Sequence, residues 1–399
     1  MFSIKELLKI GNGPSSSHTI GPKEAVKEFK KRYPNCDNTK AILYGSLALT
    51  GKGHLTDHII IKEFLPISCE IKFDIDSPQP HPNTLELFGY KNNELIGYMK
   101  VYSIGGGAIK IEGDPERTIE EIYPDNKLRD IIQYCKDYKL RLYEYVDMIE
   151  GDDFTNYIEN IYNVMMSSID RGIATTGYLP GKLNIKRKAN YLYNQKVPKN
   201  MESMELRRRK LVSYAYAVSE ENASGGEIVT APTCGASGIL PACIRYAQET
   251  NLFSHEEIIN GIKTAGLIGN IVKKNGSISG AEAGCQAEVG TACSMAAAFI
   301  VEIQGGSYEQ IESASEIALE HHLGLTCDPI EGYVQIPCIE RNAVAALRAI
   351  DAANLSSYLN NSDSKISFDL VVETMLDTGK DLSYRYRETS EGGLAKNFK

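Results

Sequence analysis

No stretch of this chain is apolar for long enough to span a bilayer. The longest nearly apolar run, positions 296–303, falls far short of the roughly 20 residues a spanning helix needs. The start, Met1-Phe2-Ser3-Ile4-Lys5-Glu6-Leu7-Leu8-Lys9-Ile10, interleaves charged and apolar side chains and does not read as a secretory signal. The expectation is a soluble, cytoplasmic protein with no membrane partner. Positive charge is not in excess either: 43 Lys and Arg stand against 52 Asp and Glu, a net of −9. That balance argues against a non-specific grip on nucleic acid. The dense basic runs, Arg207-Arg208-Arg209-Lys210 and Lys186-Arg187-Lys188, are short, sit among helix formers and read as solvated faces. No Cys-x-x-Cys pair occurs among nine cysteines, which removes zinc knuckles and thioredoxin-like redox chemistry. An odd number of thiols without a signal peptide points to a reducing compartment rather than a disulfide framework. No repeat of fixed period is visible.

What is present is ordinary globular material, 42% hydrophobic and 24% charged over 399 residues, enough for one large or two ordinary domains. The N-terminal part reads as mixed α and β. Positions 41–47 look like a strand, 69–75 alternate with period two, and 95–103 and 108–112 read as two more strands around Gly105-Gly106-Gly107. Lys91-Asn92-Asn93 marks a hairpin turn. Helical periodicity follows at 127–138 and 154–171, and then at 204–220, 239–248, 256–272, 289–303, 308–320 and 343–359. These later helices are interrupted by glycine-rich joints rather than strands. Positions 177–197 show no period and read as a connection. The expected fold is α+β and multidomain. A small N-terminal α/β domain at 1–150 leads through a helix and connection at 151–200 to a larger, mostly α-helical catalytic domain at 201–399.

The joints carry the candidate chemistry. Glu221-Asn222-Ala223-Ser224-Gly225-Gly226, Thr230-Ala231-Pro232-Thr233-Cys234-Gly235-Ala236-Ser237-Gly238 and Ser277-Ile278-Ser279-Gly280-Ala281-Glu282-Ala283-Gly284-Cys285 are built of small residues. Such joints let a ligand approach the backbone, or simply let helices pack closely. Cys285 follows Gly284, Cys327 precedes Pro329 by two residues and Cys338 follows Pro337, so each thiol stands at a break. Cys243 and Cys293 lie in helix interiors and read as small hydrophobes. Three thiolates without a fourth suit a cluster with one iron left open, although their long spacings are not a signature. His18 in Gly13-Pro14-Ser15-Ser16-Ser17-His18-Thr19, His54 in Gly51-Lys52-Gly53-His54-Leu55-Thr56-Asp57 and His81 between prolines are the loop histidines able to serve as acid or base.

Taken together, these stretches resemble the iron–sulfur-dependent L-serine dehydratases (L-serine ammonia-lyases) in their single-chain form. The resemblance covers nearly the whole chain. It opens with Gly13 to Thr19 and Gly21-Pro22, and continues through Thr50-Gly51-Lys52-Gly53-His54 and Ser103-Ile104-Gly105-Gly106-Gly107. It then takes in the small-residue joints, Gly324-Leu325-Thr326-Cys327-Asp328-Pro329, Pro337 to Asn342, and Glu388-Thr389-Ser390 with Gly392-Gly393-Leu394-Ala395. It implies a [4Fe–4S] cluster on Cys285, Cys327 and Cys338, with His54 and His18 as catalytic histidines. Ser15, Ser16, Ser17 and Thr19 would meet the substrate, L-serine. It further implies elimination of water to give pyruvate and ammonia, with an open iron as Lewis acid and a histidine as base. A homodimer is the implied assembly.

Two positions depart from the pattern. Cys234 stands where the family often has asparagine, either as a tolerated small substitute or as an extra thiol. No cysteine follows Cys338, so no tail thiolate is expected to cap the open iron. Two other readings compete. A pyridoxal-phosphate eliminase lacks a lysine in a setting that marks a Schiff base, and an amino-acid sensor has no need of the three thiols.

Overall fold

A computed structural model of the chain describes residues 1–115, 120–196, 203–359 and 364–398. The strands among these are β1 (Ile10–Asn12), β2 (Asn38–Tyr44), β3 (Ser68–Asp74), β4 (Thr84–Lys91), β5 (Glu94–Gly105), β6 (Ala108–Ile111) and β7 (Glu227–Val229). Five form one sheet in the order β3-β2-β4-β5-β6, parallel only between β2 and β3. Side chains alternate across a strand, so Ala41 and Leu43, Leu85 and Leu87, and Met99 and Val101 fall on one buried face. The helices Gly21–Arg32 and Thr56–Phe64 cover that face with Ala25, Val26, Phe29, Ile60 and Phe64. The hairpin turn reads as expected, with Asn92 and Asn93 both at positive φ, 51° and 66°, as a two-residue loop between twisted strands requires.

The strand expected over 41–47 ends early. β2 stops at Tyr44, and Gly45–Thr50 is helical. Gly45 has φ +52°, and a Cβ there would lie 2.5 Å from the Pro82 carbonyl oxygen, so the chain turns where only glycine fits.

Helices make up the larger body. At its centre lies Thr291–Ile303, buried at every position and packed against His255–Asn275, Tyr308–Glu320, Cys338–Tyr358 and Ile239–Glu249. A helix apolar on nearly every side belongs inside, and this one contains the apolar run that stands out in the sequence, its single acid Glu302 being paired with Arg141. Among the described residues no helix is long and apolar enough to cross a membrane. Capping boxes at Ser254 with Glu257 and at Ser307 with Gln310 set the starts of two of these helices.

Three local expectations change. The joint between 221 and 238 contains β7, which pairs antiparallel with β1, Gly11 opposite Ile228. Met1, Ile4, Leu7 and Leu8 accordingly lie in the helical core, as do Leu128, Ile131, Tyr145 and Val146. Third, the supposed connection after 177 holds a bridge between Tyr178 and Lys186 and a short helix, Ala189–Asn194. That helix starts where the Glu220 carboxylate accepts from the amides of Lys188 (2.6 Å) and Ala189 (3.3 Å), a partner more than thirty residues away that local periodicity does not register. Positions 197–200 of the connection, and 201, where the helical part was expected to begin, lie outside the described residues.

The helices Phe154–Ala174 and Ser203–Ala223 touch through glycine. A Cβ on Gly172 would come within 2.2 Å of the Ala217 carbonyl oxygen and 2.7 Å of its Cα, both backbone atoms. Gly172→Ala should therefore force the two helices apart and cost about 1–3 kcal/mol, as overpacking does. A lowered urea midpoint at unchanged slope checks this; an unaltered midpoint would refute it.

Candidate active site

The N-terminal loop is clamped to the helical body before it reaches its histidine. Gly13 lies so close to Asn222 that a Cβ would sit 2.1 Å from Oδ1, and the Asn222 amide donates to the Pro14 carbonyl at 3.0 Å. Beyond this clamp the hydroxyl run folds into a short wide turn over Ser16–Ile20. Ser15 Oγ accepts from the His18 amide at 3.2 Å, and Ser15 N donates to Thr19 Oγ1 at 3.2 Å. Ser16 faces the joint instead: its Oγ accepts from the Cys234 amide at 3.1 Å and donates to the Cys234 sulfur at 3.4 Å. Burial pushes the Cys234 thiol up to about 12, so it serves there as a neutral neighbour of Ser16.

The two histidines stack, ring centroids 4.4 Å apart and both fully buried. Reciprocal bonds join their backbones: Thr19 Oγ1 donates to the His54 carbonyl (2.8 Å) and Thr56 Oγ1 to the His18 carbonyl (2.6 Å). His18 pairs through Nδ1 with the Ser17 hydroxyl at 3.1 Å and through Nε2 with that of Ser46 at 2.9 Å. His54 differs. Its Nδ1–H donates to the Thr50 carbonyl at 3.0 Å, which fixes the tautomer and leaves Nε2 as a bare acceptor. Among the described residues Nε2 has no hydrogen-bond partner; the Glu388 carboxylate lies 3.9 Å away. Burial holds the His54 imidazole down at about 4, and burial with His54 beside it lowers His18 too. The glycines of the loop find their reason here, because a Cβ on Gly53 would be 3.0 Å from the Glu331 and Gly332 carbonyl oxygens of the helical body.

Each cysteine arrives on a separate element. Gly284, at φ +76°, turns the chain so that Cys285 and Gln286 meet the loop before Cys327; Gln286 N donates to the Leu325 carbonyl at 3.1 Å, and the Gln286 side chain accepts from Gly324 N at 2.9 Å. Cys327 is held by the C-terminal segment, donating to the Tyr386 carbonyl at 2.7 Å and accepting from Glu388 N at 2.8 Å. Cys338 opens the helix Cys338–Tyr358, and Asn342 one turn later ties it to the glycine-rich joint by donating to the carbonyls of Cys338 (2.8 Å) and Gly235 (2.7 Å). All three thiols line one cavity of about 220 Å³, shared with His54, Ser15, Ser16, Ser17 and Glu388. Ligand atoms of Cys285, Glu288 and Cys327 lie within 4.8 Å of one another. His18 and Thr19 are absent from the lining and sit behind His54.

This donor set fits a thiolate-held metal group. Cys285 and burial raise the Cys327 thiol far above its ordinary value, and burial and Cys285 do the same to Cys338. Buried thiols gathered this way are costly to ionise without a cation among them, and soft thiolate sets suit iron–sulfur groups. A Cβ on Gly280 would stand 3.1 Å from the Cys327 sulfur, so glycine keeps that side of the thiol clear. Cys243 and Cys293 are fully buried in helices, as their setting in the sequence indicates.

Two carboxyls of the cavity carry no sequence signal of their own. Glu388, within the quoted C-terminal motif, is pushed up to about 8 by burial and by Glu288, and Glu288 is raised by burial. Lys273 is a second surprise. No lysine has a distinctive setting in the sequence, yet this one lines the cavity and is lowered to about 8 by burial and by Lys9. Only the fold could reveal either, since Glu388 is more than 300 positions from His54.

Comparison with known families matches the chain in two consecutive segments. Residues 3–72 match the family described as Serine dehydratase beta chain, and residues 77–395 the one described as Serine dehydratase alpha chain. The chain is 39% identical to an L-serine dehydratase of Haemophilus influenzae, covering 99% of both sequences. It is 38% identical to L-serine dehydratase 1 of Escherichia coli, again over 99% of each. An L-serine dehydratase of Streptomyces coelicolor is 37% identical over 100% of this chain and 99% of its own. Matched end to end by both segments, the chain belongs to the serine dehydratase family in its single-chain form.

Proposed function

We propose that the chain is an L-serine ammonia-lyase, a carbon–oxygen lyase that removes water from L-serine to yield pyruvate and ammonia. The observation that carries this reading is the shared cavity: an unpartnered, neutral His54 Nε2 faces the same space as Cys285, Cys327 and Cys338. In this reading the three thiolates hold a [4Fe–4S] cluster. When bound, that group supplies Lewis acidity at the departing hydroxyl oxygen.

The protein's own groups do the rest. His54 Nε2 accepts the Cα proton, and the Nδ1–H bond to Thr50 keeps the ring in the tautomer that leaves Nε2 free. The proton then gained at Nε2 faces the Glu388 carboxyl, whose 3.9 Å separation leaves it within reach of a small adjustment. His18 supports the His54 ring by stacking. Ser15, Ser16 and Ser17 offer hydroxyls to the polar groups of the substrate, and Thr19, bonded to the His54 carbonyl, positions that residue. The 2-aminoacrylate released tautomerises and hydrolyses in water to pyruvate and ammonia. The reading divides the chain by work, with 1–150 supplying the histidines and hydroxyls, 201–399 the thiols, and 151–200 joining them. Its working form is a cytoplasmic homodimer.

Anaerobic iron and sulfide quantitation, paired with a pyruvate assay on L-serine, tests the whole reading. About four irons and four sulfides per chain, with pyruvate formed, are expected for a cluster of this type; turnover without iron would overturn the mechanism. Cys327→Ala should lose iron and activity together. His54→Ala should keep the iron and lose roughly 10²–10⁴-fold in kcat, the usual worth of a general base. Acid stability follows from the same imidazole. Unfolded His54 titrates near 6.5 and the folded one near 4, so between those values the unfolded chain binds the extra proton. Stability is therefore full above about pH 6.5 and falls toward about pH 4, by on the order of 3 kcal/mol from this group. Urea midpoints across that range should fall less steeply for His54→Gln; parallel curves would contradict the assignment.

A further inference from the structure

Lys273 is the only lysine or arginine among the described residues lining the cavity, where it stands with three carboxyls, Glu282, Glu288 and Glu388. It occupies the last turn of the helix His255–Asn275, next to the bend that brings Gly276 and Ser277 into the cavity wall. Its Nζ donates to the Glu6 carbonyl oxygen at 2.8 Å, a neutral acceptor. No carboxylate of the described residues lies within the 4.0 Å of an ion pair. An ammonium has three donors, so two remain for a ligand. Arg341, the other cation near the thiols, is already engaged by the Thr326 carbonyl at 2.6 Å and Asp328 at 3.1 Å.

The acid that acts on Lys273, Glu6, is itself paired with Lys9 at 2.7 Å, and a half-buried ammonium without an ion pair of its own favours an arriving anion. A 2-amino acid brings one, while its own ammonium suits the carboxyls of the same cavity. We infer that Lys273 is the carboxylate-binding residue of this site: its ammonium receives the carboxylate of the amino-acid substrate and so selects acids over analogues in which that carboxylate is a neutral amide. The inference rests on the amino-acid reading of the cavity. It adds a binding group that the hydroxyl run alone does not supply, since charge-assisted bonds are about twice as strong as neutral ones.

The helix end and the bond to Glu6 also give Lys273 a structural part, and the test must separate the two. The probes are L-alanine, which carries the carboxylate and amine but no hydroxyl to lose, and L-alaninamide, which keeps the amine but has a neutral amide in place of the carboxylate. Both are titrated calorimetrically into the anaerobic, iron-loaded protein, with L-serine turnover measured on the same samples. Wild type should prefer L-alanine by about tenfold or more, the range expected for a bond between charged groups. Lys273→Met should lose that preference while binding L-alaninamide as before, and Lys273→Arg should retain part of it. Lys273→Gln serves where the Met variant does not fold. A wild type without the preference, or a variant that keeps it, overturns the inference even if pyruvate is formed. A preference that depends on Lys273 in a protein yielding no pyruvate from L-serine keeps the inference and removes the serine reading.

Discussion

Everything at the candidate site depends on how closely the loop before His18 approaches the helical body. Gly13 and Asn222 are in contact at a distance no side chain would permit, and the Asn222 amide holds the Pro14 carbonyl. That approach presses Ser16 onto Cys234 and brings the His18–His54 stack out of water. It also lets groups from two separate hydrophobic cores face one cavity. The short β1–β7 ladder anchors the same segment from its other end.

Burial then sets the electrostatic character of the site. The imidazole of His54 is held neutral, and Glu388, Glu288, Cys327 and Cys338 are all pushed toward their uncharged forms. Each would be an ordinary titrating group in water. Loss of solvent around charged states acts on all of them, with Cys285 the larger influence on Cys327 and Glu288 adding to it at Glu388, and a neutral histidine is then the available base at physiological pH. Positive charge is scarce in the same place, which is why one lysine in the wall and the thiols' capacity for a cationic cluster matter together.

The polar loops that carry the two histidines turn out to be packed against the helical body, although Lys52 stays exposed. Gly51 to His54 reads as a loop, yet it packs against the 331–332 loop so closely that a Cβ on Gly53 would lie 3.0 Å from its carbonyl oxygens. The hydroxyls of Ser15, Ser17 and Thr19, which suggest a surface or substrate-facing run, are in part the internal bonding that lets this backbone leave water. Thr19 shows the limit of reading by type, since its hydroxyl is engaged by the His54 carbonyl rather than turned to the cavity.

By itself the sequence determined the class and the motifs. Alternating strands, 3.6-residue periodicity, three thiols at breaks and histidines among glycines and serines are all local patterns, and local backbone physics suffices to read them. The tertiary structure decided what those residues face. It set the tautomer of His54 through Thr50, placed Glu388 beside it from the far end of the chain, and set Lys273 in the wall of the same cavity. It also ended β2 at Gly45 and started a helix on Glu220. Apart from the Thr50 bond, which spans only four residues, each of these results from contacts between segments tens to hundreds of residues apart, and no window along a chain contains them.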